Sequence, residues 1–176
     1  MQRSSHDSIP DRWEVPGGSS DLDDRTILHS VARELWEETG LRLTRFNRQI
    51  GEGIAFETGQ EPNKKQWLKL SFEVEVEILE VPSTSHAHSY EHHDSSGLGN
   101  TNQFADQHLE SLPITLDPDE HQNFAWATEE DIKNSDPNRA VQDQGPFEIF
   151  NEEQRLLMLR AFELHRNDRQ SIWWQA

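Results

Sequence analysis

Apolar positions along the chain switch between two periods. In residues 24–39, Ile27, Leu28, Val31 and Leu35 fall at helical spacing. Asp23, Asp24 or Thr26 can cap the start, and Gly40 sits where a left-handed C-cap is wanted. The spacing predicts a helix. Leu41, Leu43, Phe46, Ile50, Ile54 and Phe56 follow, interrupted by Gly51 and Gly53, and predict broken strands. Over 67–78, Leu68, Leu70, Phe72, Val74, Val76 and Ile78 alternate with polar or amphipathic residues. Period two predicts one long half-buried strand. Phe124 to Ala127 predicts a short strand with Trp126 in the core, and Thr128 with Asp131 a capping pair opening a short helix. A last helix is predicted over 151–165, capped by Asn151, with Leu157, Met158, Ala161, Leu164 and His165 on one face. Residues 1–20 read as extended or looped, punctuated by Pro10, Pro16 and Gly17-Gly18. Trp173-Trp174 reads as a packing latch. This order predicts a single α/β (α+β) domain.

One segment fits neither period. Residues 82–111 hold five of the nine His, six Ser and no Lys or Arg, with apolar residues scattered. Such a stretch buries too little to offset its ordering entropy, so it reads as a low-complexity, disordered insertion. The domain then runs in two parts, 1–81 and 112–176, around the insertion 82–111.

Charge narrows the possible partners. Sixteen Lys and Arg against 33 Asp and Glu give −17 in 176 residues. That excess argues against nucleic acid, whose binders are basic, and against an anionic membrane surface. It suits cation binding through carboxylates. The absence of Cys excludes disulfides, thiolate metal sites and cysteine nucleophiles. No apolar run approaches a membrane span and no hydrophobic signal region opens the chain. The expectation is an intracellular, cytoplasmic protein.

The chemistry concentrates in the first helix. Glu34, Glu37 and Glu38 stand at i, i+3 and i+4, which puts three carboxylates on one face within a turn. Arg33 can pair with one of them. Two readings compete: a solvated acidic face, or a site for hard divalent cations that keep waters for a substrate phosphate. The flanks bear on the choice. Trp13-Glu14-Val15-Pro16-Gly17-Gly18, followed by Arg33-Glu34-Leu35-Trp36-Glu37-Glu38-Thr39-Gly40-Leu41, resembles the Nudix box, G-x5-E-x7-R-E-U-x-E-E-x-G-U with U a bulky aliphatic. The second half matches at every specified position. The first half departs: Arg25 stands where the pattern has Glu, and six residues rather than five separate Gly18 from Arg25. Asp21, Asp23 and Asp24 lie close enough to substitute.

The resemblance, with its box at 17–41, implies a Nudix-type α/β/α sandwich with a mixed sheet. It implies hydrolysis of a nucleoside diphosphate linked to a moiety X, with Mg²⁺ or Mn²⁺ as cofactor and a small-molecule diphosphate as partner. It makes Glu34, Glu37 and Glu38 the metal ligands, with Arg33, Glu37 and Glu38 in the catalytic set. Such enzymes often recruit a further Glu from outside the box. Glu120 is the candidate base or ligand; the competing reading is an exposed acidic turn made by Asp117-Pro118-Asp119. His121 could serve in its place. Arg12, Gly17 and Gly18 are candidate substrate contacts. Only sixteen residues precede Gly17, and Met1-Gln2-Arg3 reads as the tail of a strand. Either the sequence is truncated at its start or the protein dispenses with a central strand, and a missing central strand predicts marginal stability.

Other features have plainer readings. Glu73, Glu75 and Glu77 share a strand face as a second cation cluster or, more simply, as a solvated sheet face. His86, His88, His92 and His93 invite zinc but fit low-complexity sequence. Two other functions compete with hydrolysis. One is a catalytically silent binding or regulatory protein, or an inactive fragment, suggested by the divergent half-box and short N-terminus. The other is diphosphate isomerisation, which commonly wants the cysteine this chain lacks.

Overall fold

The computed structural model describes residues 1–77, 112–135 and 146–172, with side chains to 168. The insertion 82–111 with its four paired His, and Trp173-Trp174, lie outside the described residues. The elements are β1 (Gln2–Arg3), α1 (Ile27–Thr39), β2 (Leu43–Thr58), β3 (Lys65–Val76), β4 (His121–Asn123), α2 (Glu129–Asn134) and α3 (Glu152–Ile172). Helices and mainly antiparallel strands make an α+β fold.

Helix α1 is set by its ends. Thr26, rather than Asp23 or Asp24, is the cap, its hydroxyl accepting from the His29 N–H at 3.1 Å. Gly40 closes the helix at φ 71°, a conformation that costs a residue with a Cβ. Thr115 N donates to Thr39 O at 2.9 Å, tying this end to the chain that leads into β4. Leu35, Leu41 and Leu112 form the buried cluster here, with Leu43, Val74, Val76 and Ile114 packed on it.

Strands β2 and β3 pair antiparallel along their length, Leu43 opposite Val76 and Thr58 opposite Lys65. The broken strands expected over 41–57 are one strand, because the ladder absorbs Gly51 and Gly53 as a register shift between Ile50 and Ile54. Helix α3 approaches that shift, where Leu157 lies 3.4 Å from where a Cβ on Gly51 would stand. It runs seven residues beyond the expected 165 and is capped by Asn151, whose side chain accepts from Gln154 N at 2.8 Å. Leu157, Met158, Ala161 and Leu164 are half-buried, whereas His165 is exposed and reaches Glu73 at 3.0 Å. Helix α2 opens on the reciprocal Thr128–Asp131 capping box.

A second, smaller set of pairings builds the floor of the site. β1 pairs antiparallel with β4, Gln2 bridges antiparallel to Trp13, and Trp13 bridges parallel to Ile149. Four segments far apart in sequence thus lie side by side with mixed directions. The strand expected at Phe124–Ala127 is instead at His121–Asn123, where the partner strand can be reached. Phe124 and Trp126 are left 41% and 43% exposed, so Trp126 is not core. No helix among the described residues is long and apolar enough to cross a membrane.

Candidate active site

The Pro16–Gly18 loop crosses α1 and receives two of its carboxylates. Gly17 N donates to Glu38 Oε2 at 2.7 Å. A Cβ on Gly18 would stand 2.5 Å from Glu34 Oε1, so any other residue would push that carboxylate out of its present place. The loop is therefore shaped to the glutamates rather than merely adjacent to them.

Arg33 clips the loop to the helix. Its guanidinium binds Asp24 Oδ2 at 2.9 Å, Glu34 Oε1 at 3.0 Å, Glu37 Oε2 at 2.7 Å and Ser19 O at 2.9 Å. Asp24 is thus the aspartate beside Arg25 that engages the box arginine most closely, with Asp21 at 3.8 Å. Hydrogen bonding from Arg33 holds the Asp24 carboxyl well below the usual carboxylate range. Asp24 in turn helps keep Arg33 charged at any accessible pH.

The three box glutamates do not share one environment. Glu37 is about half exposed and faces Arg33 and solvent. Glu34 is mostly buried, and that burial raises its pKa against the pull of Arg33. Glu38 is 4% exposed, and its pKa is pushed up to about 8. Burial is the main cause; the Gly17 N–H opposes it, and repulsion from Glu120 and Glu34 adds to it.

Glu120 and His121 arrive from the opposite side. The turn closes with His121 N donating to Asp117 O at 2.8 Å, and Ser4 N donates to Glu120 O at 2.8 Å, fixing both residues at the start of β4. The acidic turn expected at Asp117-Pro118-Asp119 therefore forms, and it delivers Glu120 to the helix. Glu120 is exposed, and its carboxylate stands beside that of Glu38. His121 is 3% exposed. Donor atoms of Glu38, Glu120 and His121 lie within 4.8 Å of one another, a group able to hold a metal ion. They line a cavity of about 290 Å³ with Glu14, Gly17 and Arg3. Arg3 Nη1 binds Glu14 Oε1 at 2.7 Å, and the same oxygen lies 3.4 Å from His121 Nε2. Burial raises the Glu14 pKa, but the His121 and Arg3 contacts outweigh it and hold the group below its usual value.

Other candidates lie elsewhere. Arg12 is ion-paired to Glu148 at 2.6 Å and does not line this cavity. Glu73 is engaged by Arg48 at 2.8 Å and His165 at 3.0 Å, so Glu73, Glu75 and Glu77 do not form a free acidic cluster. A second cavity, about 820 Å³, opens beside Trp36, Glu37, Arg42, Leu116 and Pro118. Sequence reasoning assigned no role to Arg3 or Glu14. Glu14 lies within the motif before Gly17, but Arg3 carries no local signal.

The NUDIX domain family matches residues 1–148. No curated protein and no solved structure matches the chain.

Proposed function

The chain belongs to the Nudix family, whose domain supports pyrophosphohydrolase activity on phosphorus anhydrides in general, and we propose that this member is a cation-dependent pyrophosphohydrolase of nucleoside diphosphate-X substrates. The observation that carries the reading is the convergence of Glu38 from α1 with Glu120 and His121 from the turn into β4, on a glycine loop that also admits Glu34. Their donor set suits a divalent cation. Carboxylates from two elements meet in one cavity, and the buried His121 Nδ1 has no hydrogen-bond partner.

Mg²⁺ or Mn²⁺ held there would neutralise the phosphates and make both water and the leaving oxygen easier to activate. Glu34 and Glu38 would hold the cation, with Glu37 available at the exposed mouth. Glu120, exposed and beside Glu38, would accept the proton of the attacking water. The water oxygen would bond to one phosphorus as that atom's bond to the bridging oxygen breaks, and the bridging oxygen would leave on the other phosphate, giving a nucleoside monophosphate and phosphorylated X. Arg33 is a positioning residue, because it engages Glu34, Glu37 and the loop at once. Gly17 and Gly18 would border the diphosphate, with Gly17 N already committed to Glu38.

A silent binding protein is the second reading, favoured by Arg25 in place of the box Glu. The engagement of Arg33 by Asp24 weakens it, since a nearby carboxylate already holds that arginine. A panel of nucleoside diphosphate-X compounds, incubated with the intact chain and Mg²⁺ or Mn²⁺, separates the two. Cation-dependent release of a monophosphate supports hydrolysis; binding without turnover supports the silent reading.

A further inference from the structure

The family resemblance concerns carboxylates, and the cavity holds something more. His121 is 3% exposed, and its Nδ1 is buried without a hydrogen-bond partner. That nitrogen lies 3.9 Å from Glu38 Oε1, within the group that includes Glu120. A buried imidazole nitrogen left bare is costly unless something fills the gap. The opposite nitrogen explains which atom is bare. Nε2 faces Glu14 Oε1 at 3.4 Å, and Arg3 forms an ion pair with that same carboxylate oxygen at 2.7 Å. A carboxylate accepts and cannot donate, so Nε2 carries the proton and Nδ1 presents its lone pair. An imidazole that donates one N–H to a carboxylate and aims its other nitrogen at acidic ligands is the usual arrangement of a metal-binding histidine.

We propose that His121 Nδ1 is a nitrogen ligand of the cation site and that the Arg3–Glu14 pair positions it, so that the site favours first-row transition ions over Mg²⁺. The inference rests on the proposed reading of Glu38 as a cation ligand. Mg²⁺ strongly prefers oxygen donors, whereas imidazole suits transition ions. His121 opens β4, which is paired with β1, and Glu38 lies on α1, so the nitrogen does not need a moving loop to reach its place.

The test uses the full chain stripped of metal, with Mn²⁺ alone and Mg²⁺ alone as probes. Calorimetry measures both affinities, and pulsed electron paramagnetic resonance reads nitrogen coupling to bound Mn²⁺. The expected result is a nitrogen coupling in the native chain that disappears in His121→Asn. Mn²⁺ affinity should fall at least tenfold in that variant while Mg²⁺ affinity changes less than threefold. Glu14→Gln leaves His121 in place and should also weaken Mn²⁺ selectively, which decides the matter if His121→Asn does not fold. Mn²⁺ bound without nitrogen coupling, or coupling that survives in His121→Asn, overturns this inference and leaves the hydrolase reading intact. If neither ion binds, both fail.

Discussion

Glu38→Gln should stabilise the cation-free protein at alkaline pH while removing its function. Glu38 is 4% exposed and its pKa stands near 8 rather than the ordinary 4.5. Between those values the folded protein binds a proton that the unfolded chain has released. Stability is then greatest below about pH 4.5 and is lost as pH rises through 8. At about 1.4 kcal/mol per pH unit, the ceiling of that loss is about 5 kcal/mol. Part of the shift comes from repulsion by Glu120 and Glu34 rather than from burial alone, so about half of that ceiling, roughly 2–3 kcal/mol, is expected. For a chain of this size that is a Tm difference of about 5–10 °C. Gln retains an oxygen for Gly17 N and carries no charge to desolvate. Thermal melts in a chelator should show native and variant nearly equal at pH 5, with the variant higher by that margin at pH 8.5. Saturating Mn²⁺ should raise the native Tm and leave the variant's almost unmoved. A variant that is less stable at pH 8.5, or a gap that is the same at both pH values, would mean that the buried Glu38 charge does not set this pH dependence.

Gly18→Ala places a methyl 2.5 Å from Glu34 Oε1; activity should fall by about 10²-fold, as for a misplaced catalytic group, with the far-UV circular dichroism unchanged. Asp24→Asn frees Arg33 from one of its carboxylates, and turnover should drop with little change in Tm. A Tm loss without a turnover loss would instead make Asp24 purely structural. Ile132, fully buried in α2, should cost about 2–5 kcal/mol on truncation to Ala, read by chemical denaturation. Unchanged stability would mean that α2 is not docked as described.

Local signals in the sequence were read well where local physics decides them. The α1 helix carries its own cap, period and terminal glycine, so Thr26 to Gly40 was legible, as was the Thr128–Asp131 box. The alternation over 67–78 located β3, but not its burial: Leu68 is 62% exposed and burial does not alternate along the strand, because its first half has only β2 for company. What was misplaced depends on distant partners. β4 lies at His121–Asn123 rather than at the more apolar Phe124–Ala127 because Gln2–Arg3 pairs with its backbone. The site divides the same way. Glu34, Glu37 and Glu38 were visible from their spacing, but not that Glu37 turns to Arg33 while Glu38 is buried under Gly17. The choice of Asp24 among three aspartates depends on side-chain reach. The Arg3–Glu14–His121 chain joins residues up to 118 positions apart, and no local pattern marks it.

The most direct test of the account is hydrolysis of a nucleoside diphosphate-X panel in ¹⁸O-labelled water by the intact chain, with products followed by phosphorus NMR. The expected result is ¹⁸O in one phosphate product, formation only with a divalent cation, and loss in Glu38→Gln. A folded protein that binds the cation yet yields no product across the panel would contradict it.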